Sequence, residues 1–175
     1  DAMTGLTPLH EAQQIVLDAA APLGLEKVSI LDALGRVLGE DVIAERHNPP
    51  WDNSAMDGFA VRAEDIAQQH AITKPVTLTV IEDVPAGKMP TRSVGKGQAI
   101  RIMTGAPIPK GADTVVKVED TEHTPESVRV FKAESRGANI RPQGEDVKQG
   151  DCIIPKGTRI RSGEAGMLAI LAKSF

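Results

Sequence analysis

The chain has 175 residues, with 20 basic and 24 acidic side chains and a net charge of −4 at pH 7, which offers no electrostatic footprint for duplex nucleic acid or an anionic membrane. Its single cysteine, Cys152, excludes an internal disulfide and a cysteine-rich zinc site. No apolar run approaches the ~20 residues that span a bilayer, and three Phe, one Trp and no Tyr leave the core to aliphatic side chains and argue against base stacking. No secretory pattern follows Asp1, so a cytoplasmic protein is expected.

In chain order, Thr7 and Pro8 read as a helix start, with the hydroxyl as cap and the proline in the first helical position. Leu9, Ala12, Val16, Ala19, Ala20 and Leu23 recur at helical spacing up to Gly24, a stripe expected to pack into a core, with His10 on a solvated first turn. Residues 27–31 read as a short strand, 32–35 as a turn and 36–44 as an extended piece. The stretch Asn48-Pro49-Pro50-Trp51-Asp52-Asn53-Ser54-Ala55-Met56-Asp57-Gly58 then forms a held loop, because its prolines deny a helix and its small polar residues favour turns. Asp57 precedes a glycine, so the chain can turn there while the carboxylate faces a cleft; an ordinary turn bonding its own backbone accounts for the same residues.

Beyond it, 59–62 reads as a strand, 64–70 as a short polar helix, and 76–84 as the strongest strand, with Thr77 and Thr79 alternating against Val76, Leu78 and Val80. A turn at Pro85-Ala86-Gly87 and a connection at 95–97 lead to a strand at 98–103, which delivers Thr104 to a second loop, 104–113, carrying two prolines and two glycines. A glycine-rich turn after a strand can present amides to phosphate, but no Walker or dinucleotide spacing is present and a plain connection is the other reading. Residues 114–119 and 127–132 read as paired strands around a polar turn at 120–126. A third loop, 137–147, again sets acids beside glycine. An apolar strand at 152–154 and a helix capped by Ser162, with Ala165, Leu168, Ala169 and Leu171 on its apolar side, complete the chain. The fold class expected is α+β, mainly β: a discontinuous, elongated helix/strand domain of residues 1–46 and 145–175, with an inserted β-barrel-like domain of residues 47–144.

Three turns therefore gather polar groups: Asp52, Asn53, Ser54 and Asp57; Thr104 with its glycines; and Arg141, Glu145 and Asp146. Carboxylates on loops can hold a hard cation such as Mg²⁺ beside a substrate phosphate. Turn chemistry and solubility explain the same residues, and spacing alone does not decide. No Ser-His-Asp or Cys-His arrangement is indicated.

Residues 52–61, from Asp52-Asn53-Ser54 to Ala60-Val61, residues 101–113, from Arg101-Ile102-Met103-Thr104-Gly105 to Ala112-Asp113, and Asn139-Ile140-Arg141-Pro142 with Gly144-Glu145-Asp146 resemble the molybdopterin molybdenumtransferase (MoeA) family, which includes the E domains of gephyrin and of its plant counterpart. The resemblance implies an enzyme of four parts, of which this chain is similar to the first two: an elongated, dimerising domain and the β-rich domain inserted into it. It implies a homodimer whose active site lies between the inserted domain of one subunit and the α/β domain of the other, so that these residues alone would be inactive. The implied reaction inserts molybdenum from molybdate into adenylylated molybdopterin, with Mg²⁺-dependent loss of AMP, and makes the molybdopterin adenylyltransferase a candidate partner. Carried onto matching positions, it makes Asp57 and Thr104 catalytic, Asp57 and Asp146 metal-facing, and Asn53, Ser54, Arg101, Gly105 and Arg141 substrate-binding. The alternative it leaves is a non-catalytic dimerising scaffold that binds a partner peptide, as the likeness to gephyrin allows.

Overall fold

The computed structural model describes residues 6–21, 23–67 and 75–173. They fall into two compact units, Asp1–Glu40 with Lys156–Phe175, and Asp41–Pro155.

The smaller unit contains helix α1 (Leu9–Ala19), a 3₁₀ turn at Ile30–Asp32 and a C-terminal helix taken up below. Pro8 occupies the N-cap position of α1 and no side chain caps it, so Thr7 does not play that part. The helix stops at Ala19, short of Gly24, with Ala20 already extended; the sequence reaches Pro22 two residues later, and a residue preceding proline is disfavoured in the α region. None of its residues is buried, and Leu9 and Val16 are 77% and 68% exposed, so the expected core stripe faces outward within this unit. The expected strand at 27–31 is replaced by the 3₁₀ turn, because the Ser29 hydroxyl accepts the Leu31 amide at 3.2 Å and starts a helical bend. Residues 35–38 pair antiparallel with 157–160 through reciprocal bonds between Leu38 and residues 157–158 and between Ile160 and residues 35–36, all 2.8–2.9 Å. Ala33, Ile160, Leu168 and Leu171 form the buried part of the unit.

Among the described residues the larger unit holds ten strands: β1 (Val42–Ile43), β2 (Asn53–Ser54), β3 (Gly58–Val61), β4 (Val76–Val84), β5 (Gln98–Ile102), β6 (Thr114–Lys117), β7 (Thr121–His123), β8 (Ser127–Val130), β9 (Ile140–Arg141) and β10 (Cys152–Ile154), with a one-turn helix α2 (Ala63–Ile66). The polar helix expected at 64–70 thus begins one residue earlier, and its residues 68–70 lie outside those described. β1 pairs with β10 and β2 with β9, and six strands form one sheet in the order β6-β3-β5-β4-β8-β7. The polar stretch expected to be a turn between 114–119 and 127–132 contains β7, and it is β7 that pairs with β8, while β6 pairs with β3. Among the described strands only β4 and β5 run parallel, so the crossover 85–97 between them must return the chain along the strands.

The ends of this sheet, β6 and β7, are separated in sequence only by the 3₁₀ turn Val118–Asp120. Six flat strands would set the edges ~24 Å apart, whereas the link reaches at most ~14 Å. The sheet must therefore curl, and it has an apolar layer on each side. Phe59, Val61, Leu78, Ala99, Val116, Val128 and Val130 pack on one face with Ile66 of α2. Ala60, Ile100, Ile102 and Val115 pack on the other with Val84, and with Val94 and Ala106 from the loops. Strand alternation accounts for the assignment. A register shift between Val80 and Glu82 lets β4 change sides: Leu78 and Val80 face the first layer and Val84 the second. The mixed α/β, mainly β class is as expected, and the sheet is curled but open.

Helix α3 (Ser162–Ile170) belongs to the smaller unit. Ser162 is its first helical residue and not its cap; the Glu164 carboxylate instead accepts the Arg161 amide at 2.9 Å. Leu168 and Leu171 are buried as expected, but Ala169 is exposed.

Candidate functional site

The first and second polar turns come together at one end of β3 because of strand register, and the third is attached to the first through the pairing of β2 with β9. β3 and β5 are antiparallel neighbours with Gly58 opposite Ile102. The residue entering β3 and the residues leaving β5 therefore emerge at the same edge of the sheet. There the carboxylate of Asp57 accepts the Thr104 amide at 2.7 Å and the Thr104 hydroxyl at 2.8 Å, both on Oδ1. Asp57 and Thr104 are exposed, and among the described residues no donor reaches Asp57 Oδ2. The Thr104 amide, then its hydroxyl, hold the Asp57 carboxyl below the usual carboxylate range against a small opposing effect of desolvation; the Arg101 charge adds to the lowering.

Gly58 allows this edge to be built. A Cβ there would lie 1.9 Å from the Val116 carbonyl oxygen, so only glycine lets β6 pair with β3 immediately after Asp57.

The strand β2 is clasped on both sides. Toward the third loop, Asn53 pairs with Arg141 and Ser54 with Ile140, and the Ala55 amide reaches the Asn139 carbonyl at 2.9 Å. Toward the second loop, the amides of Gly105 and Ile108 donate to the carbonyls of Ser54 and Asp52, and the Ser54 amide donates to Ala106, each at 2.9 Å. Ser54 is buried, and its hydroxyl donates to the Met56 carbonyl at 2.5 Å, closing the bend that leads to Asp57. Asn53 Oδ1 is buried without a hydrogen-bond partner among the described residues.

The amides in the first half of the second loop are not free for a phosphate. The amides of Thr104, Gly105, Ala106 and Ile108 donate to Asp57, Ser54, Met103 and Asp52 in turn. Gly105 is required for its φ of +83°, a left-handed conformation that turns the chain back toward β2.

In the third loop Arg141 is engaged by acids. Its Nε donates to Glu145 at 2.9 Å and its Nη2 to both oxygens of Asp146, at 2.9 and 3.1 Å; Glu145 first and Asp146 second raise its pKa further. Arg101 faces Asp83 at 3.5 Å. Both arginines therefore sit in ion pairs. Asp146 already serves a cation, whereas Asp57 keeps one oxygen open. Among the described residues no three His, Cys, Asp or Glu side chains converge into a metal site.

Two contributors, Gln143 and Asn139, escape a reading by residue type and join Asp52 of the first polar cluster. Asp52 Oδ1 accepts the Gln143 amide at 2.7 Å, Gln143 Nε2 donates to the Pro50 carbonyl at 2.6 Å, and Asn139, at φ 58°, donates to the Val115 carbonyl at 2.8 Å. The left-handed tendency of Asn beside Gly137 was the one local signal among them; the Asp52 and Gln143 partnership spans 91 residues.

Residues 7–172 match the family described as the MoeA N-terminal region, domains I and II. The chain is 40% identical over 166 residues to the molybdopterin molybdenumtransferase of Bacillus subtilis, covering 93% of this chain and 38% of the relative. It is 43% identical over 143 residues to that of Synechococcus elongatus, covering 81% and 35%. The fold superposes on the crystal structure of the molybdopterin biosynthesis moeA protein from Pyrococcus horikoshii with a TM-score of 0.88 at 40% identity, covering 97% of this chain and 45% of that one. The chain thus spans about two fifths of the length of the curated relatives it matches. No helix among the described residues is long and apolar enough to cross a membrane. The chain belongs to the MoeA family, as its N-terminal region of domains I and II.

Proposed function

We propose that this chain supplies the anionic wall of a molybdopterin molybdenumtransferase site, where molybdenum from molybdate enters adenylylated molybdopterin and AMP is released. The names and 40% and 43% identities of the relatives support the reaction class. The observation that carries the residue assignment is the Asp57 carboxylate locked by one oxygen onto the Thr104 turn, with its other oxygen open. Held so, it stays ionised at neutral pH and cannot rotate away, which fits a group that positions a substrate's charged end.

An anion facing a phosphate ester repels it unless a cation lies between them. Mg²⁺ typically takes one or two carboxylates plus substrate phosphate oxygens, so Asp57 would hold such an ion only together with the substrate. Asp146 could join only by giving up bonds to Arg141, and therefore ranks second. Asn53, Ser54 and Gly105 act through main-chain and bend contacts that place the two loops. Arg101 and Arg141 tune charge while remaining paired. The remaining wall of the cleft comes from outside these residues, from a further domain or a second copy.

The test is complementation of a strain lacking molybdopterin molybdenumtransferase by the gene carrying this chain. Asp57→Ala is expected to remove most molybdoenzyme maturation with soluble protein at its normal level. Full maturation with that variant would end the assignment.

A further inference from the structure

The structure assigns to Asp52 a role as the positioning residue of this site: it ties together the loops that carry Asp57, Thr104 and Asp146. This rests on the reading above. Its carboxylate Oδ1 accepts the Gln143 amide of the third loop at 2.7 Å, while its carbonyl accepts the Ile108 amide of the second loop at 2.9 Å. One residue of the first loop therefore holds both of the others.

The two bonds differ in kind. The carbonyl bond is reinforced by the neighbouring pairs Ser54 with Gly105 and Ala106, so the second loop has a ladder of its own. On the other side, the third loop leaves β9 at Arg141 and is then exposed at Pro142 and Gln143 before Gly144. There the chain must turn so that Arg141 can meet Glu145 and Asp146 four and five residues on. The turn is pinned at Gln143 by Asp52, by Gln143 Nε2 on Pro50, and by the Gly144 amide on the Pro49 carbonyl at 3.0 Å, while further along the amides of Asp146 and Val147 donate to the Asn48 carbonyl at 3.0 Å. Of these anchors only the Asp52 bond has an ionised acceptor, and charge-assisted bonds are about twice as strong as neutral ones. Asp52 touches neither Asp57 nor Thr104 through its side chain. Its effect on chemistry runs through the placement of the third loop, where small misplacements cost rate steeply.

The requirement is an acceptor at Oδ1, not a charge facing the substrate. Asn retains that acceptor in the same place; Ala does not. The experiment compares Asp52→Ala, Asp52→Asn and Asp57→Ala in two arms. Amide hydrogen exchange by NMR on the 175-residue chain reads the Gln143 amide, and complementation by the gene carrying the chain reads maturation. Asp52→Ala is expected to lower Gln143 protection, and maturation with it, by about tenfold, the factor that loss of one such hydrogen bond gives. Asp52→Asn should restore both to within about threefold of the parent, since a neutral acceptor keeps roughly half the bond.

If Asp52→Ala frees the Gln143 amide but leaves maturation intact, while Asp57→Ala abolishes it, the positioning role is overturned and the Asp57 reading stands. Equal losses in Asp52→Ala and Asp52→Asn would also overturn it, because charge and not the acceptor would then be what matters. If Asp57→Ala matures molybdoenzymes normally, the underlying reading falls and takes this role with it.

Discussion

Gly58→Ala isolates what allows the site edge to exist. Gly58 lies in β3 with an ordinary negative φ, so alanine brings no dihedral penalty there; what it brings is a methyl 1.9 Å from the Val116 carbonyl oxygen, 2.9 Å from its carbon and 3.1 Å from Lys117 Cα. Those are main-chain atoms of β6, which cannot rotate aside. Relief requires β3 and β6 to part by roughly 1.3 Å at that point, about a quarter of the normal spacing between strands. Overpacking of this kind costs about 1–3 kcal/mol, and loss of one or two ladder bonds adds about 1 kcal/mol each. The expected loss is therefore about 3–5 kcal/mol, a large share of the ~5–15 kcal/mol typical of a domain. Urea unfolding of the chain, followed by circular dichroism and by the fluorescence of Trp51, measures it. Gly105→Ala is the control, since Gly105 has φ +83° but open space around it and should lose about 1–2 kcal/mol from the dihedral alone. A Gly58→Ala midpoint within 0.5 kcal/mol of the parent, as judged by the usual scatter of surface substitutions, would refute the close-approach argument.

Further outcomes follow from the same contacts. The Asp57 carboxyl is expected to titrate below an ordinary aspartate when followed by carbon-detected NMR. Because its folded pKa is depressed, mainly by the Thr104 amide, the clamp contributes above the unfolded pKa and is lost as pH falls through the folded one. Thr104→Ala removes the hydroxyl but leaves the amide, so it should move that titration only part of the way back and cost less maturation than Asp57→Ala. Glu82 is desolvated, yet its carboxyl is net lowered by bonds from the Thr91 amide and hydroxyl and the Arg92 amide; Glu82→Ala should cost about 1–2 kcal/mol in urea unfolding and expose the crossover 85–97 to protease. Leu78→Ala, at 2% exposure in the apolar layer with Phe59 and Ile66, should cost about 2–5 kcal/mol in the same unfolding measurement.

Elements with a strong local pattern were legible in the sequence. Val76–Val84 and Cys152–Ile154 fall where alternation and turn residues put them. What could not be read was partnership. The residues 121–123 carry polar side chains because β7 is an edge strand with one exposed face, so composition made them resemble a turn. The change of face within β4 depends on a register shift that no periodicity announces. Helix α1 had the amphipathic spacing of a core helix, but spacing defines a stripe without saying what covers it.

The site was legible as three polar turns, and the family resemblance ranked Asp57 and Thr104 first among their residues. The reason they meet is the Gly58–Ile102 register, which is a property of the folded sheet. The glycine-rich loop 104–113 shows where composition misleads. Its glycines and prolines suggested free amides for a phosphate, but those amides are taken by Asp57, Ser54, Met103 and Asp52. What the loop displays outward is the open oxygen of a carboxylate it has immobilised. A nest of amides binds an anion directly, whereas a fixed carboxylate calls for a cation between itself and a phosphate. Among the described residues no three metal-ligating side chains converge, so the proposed function assigns the cation to the incoming substrate or to groups beyond the described residues. On that proposal, binding of an adenylylated phosphate substrate is expected to depend on the cation even where the protein alone shows no affinity for it.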